Sequence, residues 1–496
     1  MYNIPMQNYY QFLIPRLNGL EIKKDFKKHL GLVKKGIAGF IIFGGKLEET
    51  RKYVQKLQDE SEYPLIISSD LEQGLGQQIK GGTLFPPAMA VASAITPPHP
   101  PLDKGGPKGG WSFEIIAHSS KLKLLKKTYK AFAEEAKYAG INTIFAPVLD
   151  INTNPKNPII CVRAFGEDTD TVSSIGCLMI RTFQQAGIVA CGKHFPGHGD
   201  TEVDSHIKLP LIDRSLSSLT KKELVPFKDA ITAGVKMIML GHLSVPAIDP
   251  SGIPVSFSEN AIRFIRNKMA YDGILITDAM NMGGIGKYSE EEAAFMSLKA
   301  GVDIILHPSD PEKVVSYLEK KKMMFDTKKI VSFRKSFSLS PSSSMPDLSN
   351  NQKLSGELAE KAIRTYGKFR IKSDPFLIIL NDEEKEKGEV FRKELKKEFP
   401  GLKTQVIRMD SDIQELKIPE NAFLVVALFS ETKAWKGGAS KWLFKKISSL
   451  EKRTELFVSF GSPYLIDNIK GTAKIFAYWD SDSAQKAAAK IIAGRK

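Results

Sequence analysis

Along the first 310 residues, apolar positions come in short continuous runs rather than in strict alternation with polar ones. The runs are Phe12–Ile14, Ile37–Phe43, Leu65–Ser69, Ile141–Leu149, Ile188–Cys191, Met237–Leu240, Ile274–Ile276 and Val302–Leu306. A strand that is apolar on both sides is buried on both faces, which is the habit of parallel sheets. Amphipathic stretches such as Lys121–Tyr138 and Leu219–Ala233 lie between them and predict helices. Eight such strand–helix units in this length predict an α/β fold of the (β/α)8 TIM-barrel type. The competing architecture, a doubly wound open sheet, more often carries roughly five to seven strands.

The polar residues that follow these runs sharpen the picture. Asp70 follows the third run, Asp150 the fourth, Lys193 and His194 the fifth, His242 the sixth, Asp278 the seventh and His307 the eighth. In a barrel these positions share the C-terminal mouth, where active sites are built. Plainer roles compete at some of them. Asp70 and Asp150 could cap helices, and His242 and His307 could close the barrel top by hydrogen bonding.

Past residue 335 the pattern changes. Residues 336–351 are rich in serine and proline and predict a linker. Beyond them Phe376–Leu380, Thr404–Ile407, Phe423–Phe429, Leu456–Phe460 and Ile475–Tyr478 alternate with helical stretches, including Glu383–Glu398 and Ala484–Ile492. This predicts a barrel domain over 1–335 and a smaller α/β domain with a mostly parallel sheet over 352–496. The second domain has no GxGxxG loop after its first strand, few polar strand ends, and a scaffolding or oligomerisation role as its simplest reading. Residues 97–112, full of proline and glycine, predict a surface insertion in the first domain.

Composition excludes several classes. A hydrophobic content of 42% in 496 residues is that of a globular protein. The net charge of +15 is carried by scattered lysines with no basic–aromatic stripe, so it predicts a solvated surface and no nucleic-acid partner. Three cysteines without CxxC spacing predict neither a disulfide scaffold nor a zinc ribbon. No membrane span and no signal peptide are legible, so the cytoplasm is the expected location.

The densest chemistry lies in 193–206, Lys-His-Phe-Pro-Gly-His-Gly-Asp-Thr-Glu-Val-Asp-Ser-His. It holds three of the chain's eight histidines on a Gly/Pro backbone that favours a loop. Three uses are open. His194, His198, Asp200 and His206 have the chemistry of metal ligands, although the spacing is not that of a helical HExxH site. The histidines could instead brace the loop. Or Asp204 could orient His206 for proton transfer, with the lone carboxylate of Asp278 as a separate nucleophile.

The block Lys-His-Phe-Pro-Gly-His-Gly-Asp-Thr…Asp-Ser-His resembles the signature of family 3 glycoside hydrolases of the NagZ-like β-N-acetylglucosaminidase type. Four other segments agree: Phe145-Ala-Pro-Val-Leu-Asp-Ile-Asn152, Asn157-Pro-Ile-Ile-Cys-Val-Arg-Ala-Phe-Gly166, Asp70-Leu-Glu-Gln-Gly74 and Thr277-Asp-Ala-Met-Asn-Met282. The resemblance spans roughly residues 10–310, and Ala427-Leu-Phe-Ser and Val458-Ser-Phe-Gly-Ser-Pro-Tyr resemble the C-terminal domain of two-domain members. It implies a retaining exo-acting β-N-acetylhexosaminidase of peptidoglycan recycling, needing no cofactor and no metal, that acts on muropeptides or chito-oligosaccharides. Asp278 would be the nucleophile and His206 the general acid and then base, with Asp204 orienting it. Asp70, Arg163, Lys193 and His194 would hold sugar hydroxyls, and Met282 would wall the N-acetyl group. Leu75 and Gln78 stand at positions where the family carries arginines, Ala164 stands where serine is common, and the 97–112 insertion has no counterpart. A phosphorylase with the same residues, a metal-dependent hydrolase on His194, His198 and Asp200, and a non-catalytic sugar-binding or scaffold protein are the alternatives.

Overall fold

A computed structural model of the chain describes residues 7–96, 120–337, 344–409, 418–433 and 435–495. The expected insertion 97–112 and residues 338–343 of the expected linker lie outside them.

The apolar runs form one parallel sheet of β1 (Leu13–Ile14), β2 (Arg16–Asn18), β3 (Gly39–Phe43), β4 (Ile66–Ser69), β5 (Thr143–Ile144), β6 (Val189–Phe195), β7 (Met237–Leu240), β8 (Ile274–Ala279) and β9 (Ile304–Leu306). Their order is β1-β9-β8-β7-β6-β5-β4-β3-β2. The nine segments act as eight strands. β1 and β2 are one extended stretch divided at Pro15, which has no N–H for the ladder. β1 pairs with β9, β2 pairs with β3, and the Pro15 carbonyl accepts from Ile41 N–H at 3.0 Å. The ladder therefore closes into a barrel, with helices such as Leu47–Asp59, Ser120–Ala139 and Thr169–Gln185 outside it.

Four elements differ from expectation. β6 runs on to Phe195 and β8 to Ala279, so Lys193, His194 and Asp278 lie within strands rather than after them. The run Ile141–Leu149 yields only Thr143–Ile144, because Pro147 removes a donor and Ala146 N–H turns back to Ile144 O at 2.8 Å. The helix expected over 219–233 is two, Leu216–Lys221 and Val225–Thr232, since Pro226 is tolerated only in a first turn.

The second sheet runs β10-β15-β14-β13-β11-β12, with β10 (Arg364–Tyr366), β11 (Phe376–Asn381), β12 (Lys403–Arg408), β13 (Leu424–Ser430), β14 (Leu456–Gly461) and β15 (Ala473–Phe476). All pairs are parallel except β10 with β15. Period-two alternation sends Leu377 and Ile379 to one face and Phe376, Ile378 and Leu380 to the other. The latter face packs on Met89, Ala90, Cys161 and Val162 of the barrel. A helix, Leu348–Ala362, begins inside the stretch read as a linker. Its Leu354 and Leu358 belong to the barrel's core and its Ala359 to that of the second sheet.

Candidate active site

A cavity of about 520 Å³ opens at the C-terminal ends of the barrel strands. Asp70, Arg163, Lys193, His194, His206, Asp278 and Met282 line it, and Asp204 lies behind His206.

One wall is a chain of alternating charges. The Lys193 ammonium, on β6, is 2.7 Å from both Asp70 Oδ1 and Glu72 Oε1. Arg163 donates to both oxygens of Glu72, Nε at 2.9 Å and Nη2 at 2.8 Å, and Nη1 donates to Ile159 O. Burial alone would raise the Glu72 pKa. The Arg163 and Lys193 cations overcome it and hold that carboxyl well below the usual range. Burial likewise works against the Lys193 ammonium, but Asp70 and Glu72 keep it charged. Asp70 is thus an ion-pair partner rather than a helix cap. Glu72 went unread in the sequence although it sits two residues beyond Asp70 on the same strand-end loop.

A second wall is built on Asp150, which is buried and caps no helix. Its Oδ2 lies 2.7 Å from His194 Nδ1, while Oδ1 accepts the backbone N–H groups of His194 and His198. This partner fixes the His194 ring and leaves its Nε2 for other work. His198 has both ring nitrogens taken, Nδ1 by Thr201 Oγ1 at 2.8 Å and Nε2 by Ser205 Oγ at 2.9 Å. Burial depresses its pKa to about 4, and His194 adds to the effect. Asp200 turns away to Arg214 and Thr153. The four groups weighed as metal ligands therefore serve separate partners.

The end of the same loop carries the proton-active pair. His206 Nδ1 is 2.8 Å from Asp204 Oδ1, which also accepts the His206 backbone N–H at 2.9 Å. Burial would raise the Asp204 pKa, but the hydrogen bonds from His206 lower it, so Asp204 stays a carboxylate that can steady an imidazolium. Backbone bonds tie this segment to the turn after β8: Gly283 N–H donates to His206 O at 2.9 Å and Gly284 N–H to Ser205 O at 2.8 Å. Glycine is required for the approach, since a Cβ on residue 283 would lie 2.2 Å from Ile207 O.

Across the cavity, Asp278 is 8% exposed. Burial opposes its charge, yet the nearby His194, His242 and His206 hold its pKa below the ordinary value. His242 braces β8 from behind, with Nδ1 2.6 Å from Ser256 Oγ and Nε2 3.0 Å from Ala279 O. The site thus combines an ionised carboxylate with an imidazole, in one cavity, on segments joined by backbone hydrogen bonds. Such a pair can attack a carbon and supply a proton to its leaving group.

A model of the Glycosyl hydrolase family 3 N terminal domain matches residues 9–330. The chain belongs to glycosyl hydrolase family 3. Beta-hexosaminidase A of Pseudoalteromonas piscicida is 33% identical over 295 residues, 55% of this chain and 46% of that protein. Beta-hexosaminidase of Nitrosomonas eutropha is 30% identical over 251 residues, 50% of this chain and 66% of the relative. The matched part spans less than two thirds of the length of these curated relatives. The solved structure of a glycoside hydrolase family 3 beta-N-acetylglucosaminidase from Paenibacillus sp. str. FPU-7 superposes with a TM-score of 0.80 at 26% identity, covering 99% of this chain and 97% of that one.

In this family 3 chain the two unusual positions differ in placement. Leu75 is buried in the barrel core, whereas Gln78 lines the cavity. Arg16, on β2, also lines it, with its guanidinium 5.1 Å from the centre of the Phe43 ring. The scaffold reading of the second domain needs correction, because Thr432, Lys433 and Trp435 line the cavity too. Its strand ends are also polar rather than sparse: Asp382, Glu383, Ser430 and Glu431 bond to Lys433, Lys436 and Ser440. No local signal could have linked Trp435 to His206, some 230 residues earlier.

Proposed function

We propose that the chain is a retaining, exo-acting β-N-acetylhexosaminidase that releases terminal N-acetylglucosamine from muropeptides or chito-oligosaccharides. The reading is carried by one observation: the Asp204/His206 pair and the ionised Asp278 line or back a single cavity. Asp278 attacks the anomeric carbon and forms a glycosyl-enzyme, while His206 gives a proton to the departing oxygen. The same imidazole then takes a proton from water, which releases the sugar. Asp204 orients the ring and steadies its charge. Asp70, Arg163, Lys193 and His194 offer charged hydrogen bonds to sugar hydroxyls, and buried Met282 gives the N-acetyl methyl an apolar wall. No cofactor or metal enters this scheme. Names of the relatives support hydrolysis of N-acetylhexosaminides over phosphorolysis.

No helix among the described residues is long and apolar enough to cross a membrane. A cytoplasmic role in peptidoglycan recycling is part of the same proposal. The deciding assay follows an aryl N-acetyl-β-glucosaminide, with and without phosphate, in wild type and Asp278→Ala. Equal turnover by the two proteins ends the proposal, and a sugar 1-phosphate product converts it to a phosphorylase.

A further inference from the structure

The second domain reaches the cavity through the loop that follows β13. The lysines of this loop are anchored to acidic strand ends: Lys433 lies 2.5 Å from Glu383 and 2.8 Å from Glu431, and Lys436 lies 2.7 Å from Glu383. Trp435 stands between them with φ +68°, a conformation that costs energy for a side chain of its size. Its backbone N–H donates to Asp204 Oδ2 at 3.0 Å, the oxygen that His206 leaves free. Its ring lies 5.4 Å from the His206 ring at 61°, edge-on. The backbone is thus pinned to the acid pair, yet the indole is 55% exposed and lines the cavity. An indole whose backbone is anchored but whose ring is left uncovered has apolar surface to offer a ligand.

The ligand follows from the chemistry next to it. In the proposed reaction, on which this inference rests, His206 protonates the oxygen joining the terminal N-acetylhexosamine to the rest of the substrate. Whatever departs must lie against His206, on the side away from Asp278. Trp435 occupies that neighbourhood, with Thr432 and Lys433 on the same loop. A pyranose presents an apolar C–H face ringed by hydroxyls. The electron-rich indole face suits the first, and the threonine hydroxyl and lysine ammonium suit the second. We infer that Trp435 is the platform of a leaving-group subsite, supplied by the second domain, that takes the apolar face of the departing sugar ring. The second domain then selects saccharide leaving groups over small ones, and the bond to Asp204 keeps the platform in register with the acid.

The test compares two substrates in the full-length protein. N,N′-diacetylchitobiose has a sugar leaving group; 2,2,2-trifluoroethyl N-acetyl-β-glucosaminide has one too small to stack. The readout is the ratio of kcat/KM for the disaccharide to kcat/KM for the trifluoroethyl glycoside. Trp435→Ala keeps the backbone N–H, and the side chain is exposed, so folding is not at stake. The ratio is expected to fall about tenfold or more in Trp435→Ala and to recover in large part in Trp435→Phe. A ratio unchanged from wild type, whether both rates fall together or neither moves, overturns the subsite and leaves Trp435 acting on the acid pair alone. Wild-type protein that splits neither substrate sinks the hydrolase reading itself, a separate failure that takes the inference with it.

Discussion

At the scale of single residues, the site runs on charges held where water would not leave them. Asp278→Ala is expected to lower kcat by on the order of 10³-fold or more on an aryl N-acetyl-β-glucosaminide. Added azide should restore part of that turnover and yield a glycosyl azide, which product analysis detects. His206→Ala should cost about 10²–10⁴-fold with a poor leaving group and much less with a dinitrophenyl one, because the second needs no proton. Leaving-group dependence of kcat/KM checks it. Glu72→Gln leaves Arg163 without a carboxylate and Lys193 with Asp70 alone. Breaking a buried ion pair on one side typically costs about 3–5 kcal/mol of stability, measurable by urea unfolding. The folded-state pKa of Glu72 is depressed, so its stabilisation is present above the ordinary carboxylate range and is lost as pH falls below it.

At the scale of elements, the loop from Pro196 to His206 is braced from within and from its neighbours. His198 is the internal brace, and its pKa of about 4 against an ordinary value near 6.5 has a definite sign. Between those values the unfolded chain binds a proton that the folded one refuses, so stability should decline as pH drops from about 6.5 toward 4. Denaturant titrations across that window should show the slope, and His198→Gln should flatten it. The external brace is the pair Gly283 and Gly284. Gly283→Ala would push the His206 segment off the turn after β8, and kcat should fall on the order of a hundredfold with the protein still folded. These elements were unevenly legible in the sequence. Runs such as Met237–Leu240, apolar on both faces, named their strands outright. β10 did not, because Arg364, Thr365 and Tyr366 are partly exposed and carry no apolar alternation at a sheet edge. The split of the expected helix at Pro226 was readable from proline chemistry but was hidden by an amphipathic pattern that continues across it. Asp278 and the Asp204/His206 pair stood out because few residues of that kind share a Gly-rich setting. Glu72 looked ordinary because its partners, Arg163 and Lys193, are distant in sequence.

At the scale of the whole molecule, the barrel and the second sheet share an apolar interface. Met89, Ala90, Cys161 and Val162 pack under Phe376, Ile378 and Leu380, and Tyr464 donates to Glu167 at 2.6 Å across the boundary. Calorimetry should therefore record one cooperative unfolding transition, where weakly coupled halves would give two. None of this could be read from pattern alone, which shows that a strand is apolar but not what covers it. The helix Leu348–Ala362 has its own consequence, since it contributes to both cores at once. A chimera that swaps in a foreign second half cannot be joined at the serine-rich stretch without importing a mismatched ridge against the barrel, where Asn351 donates to Glu135 and Ser355 to the Leu84 carbonyl. The natural seam for such a transplant lies just past Ala362, with residues 348–362 travelling with the first half.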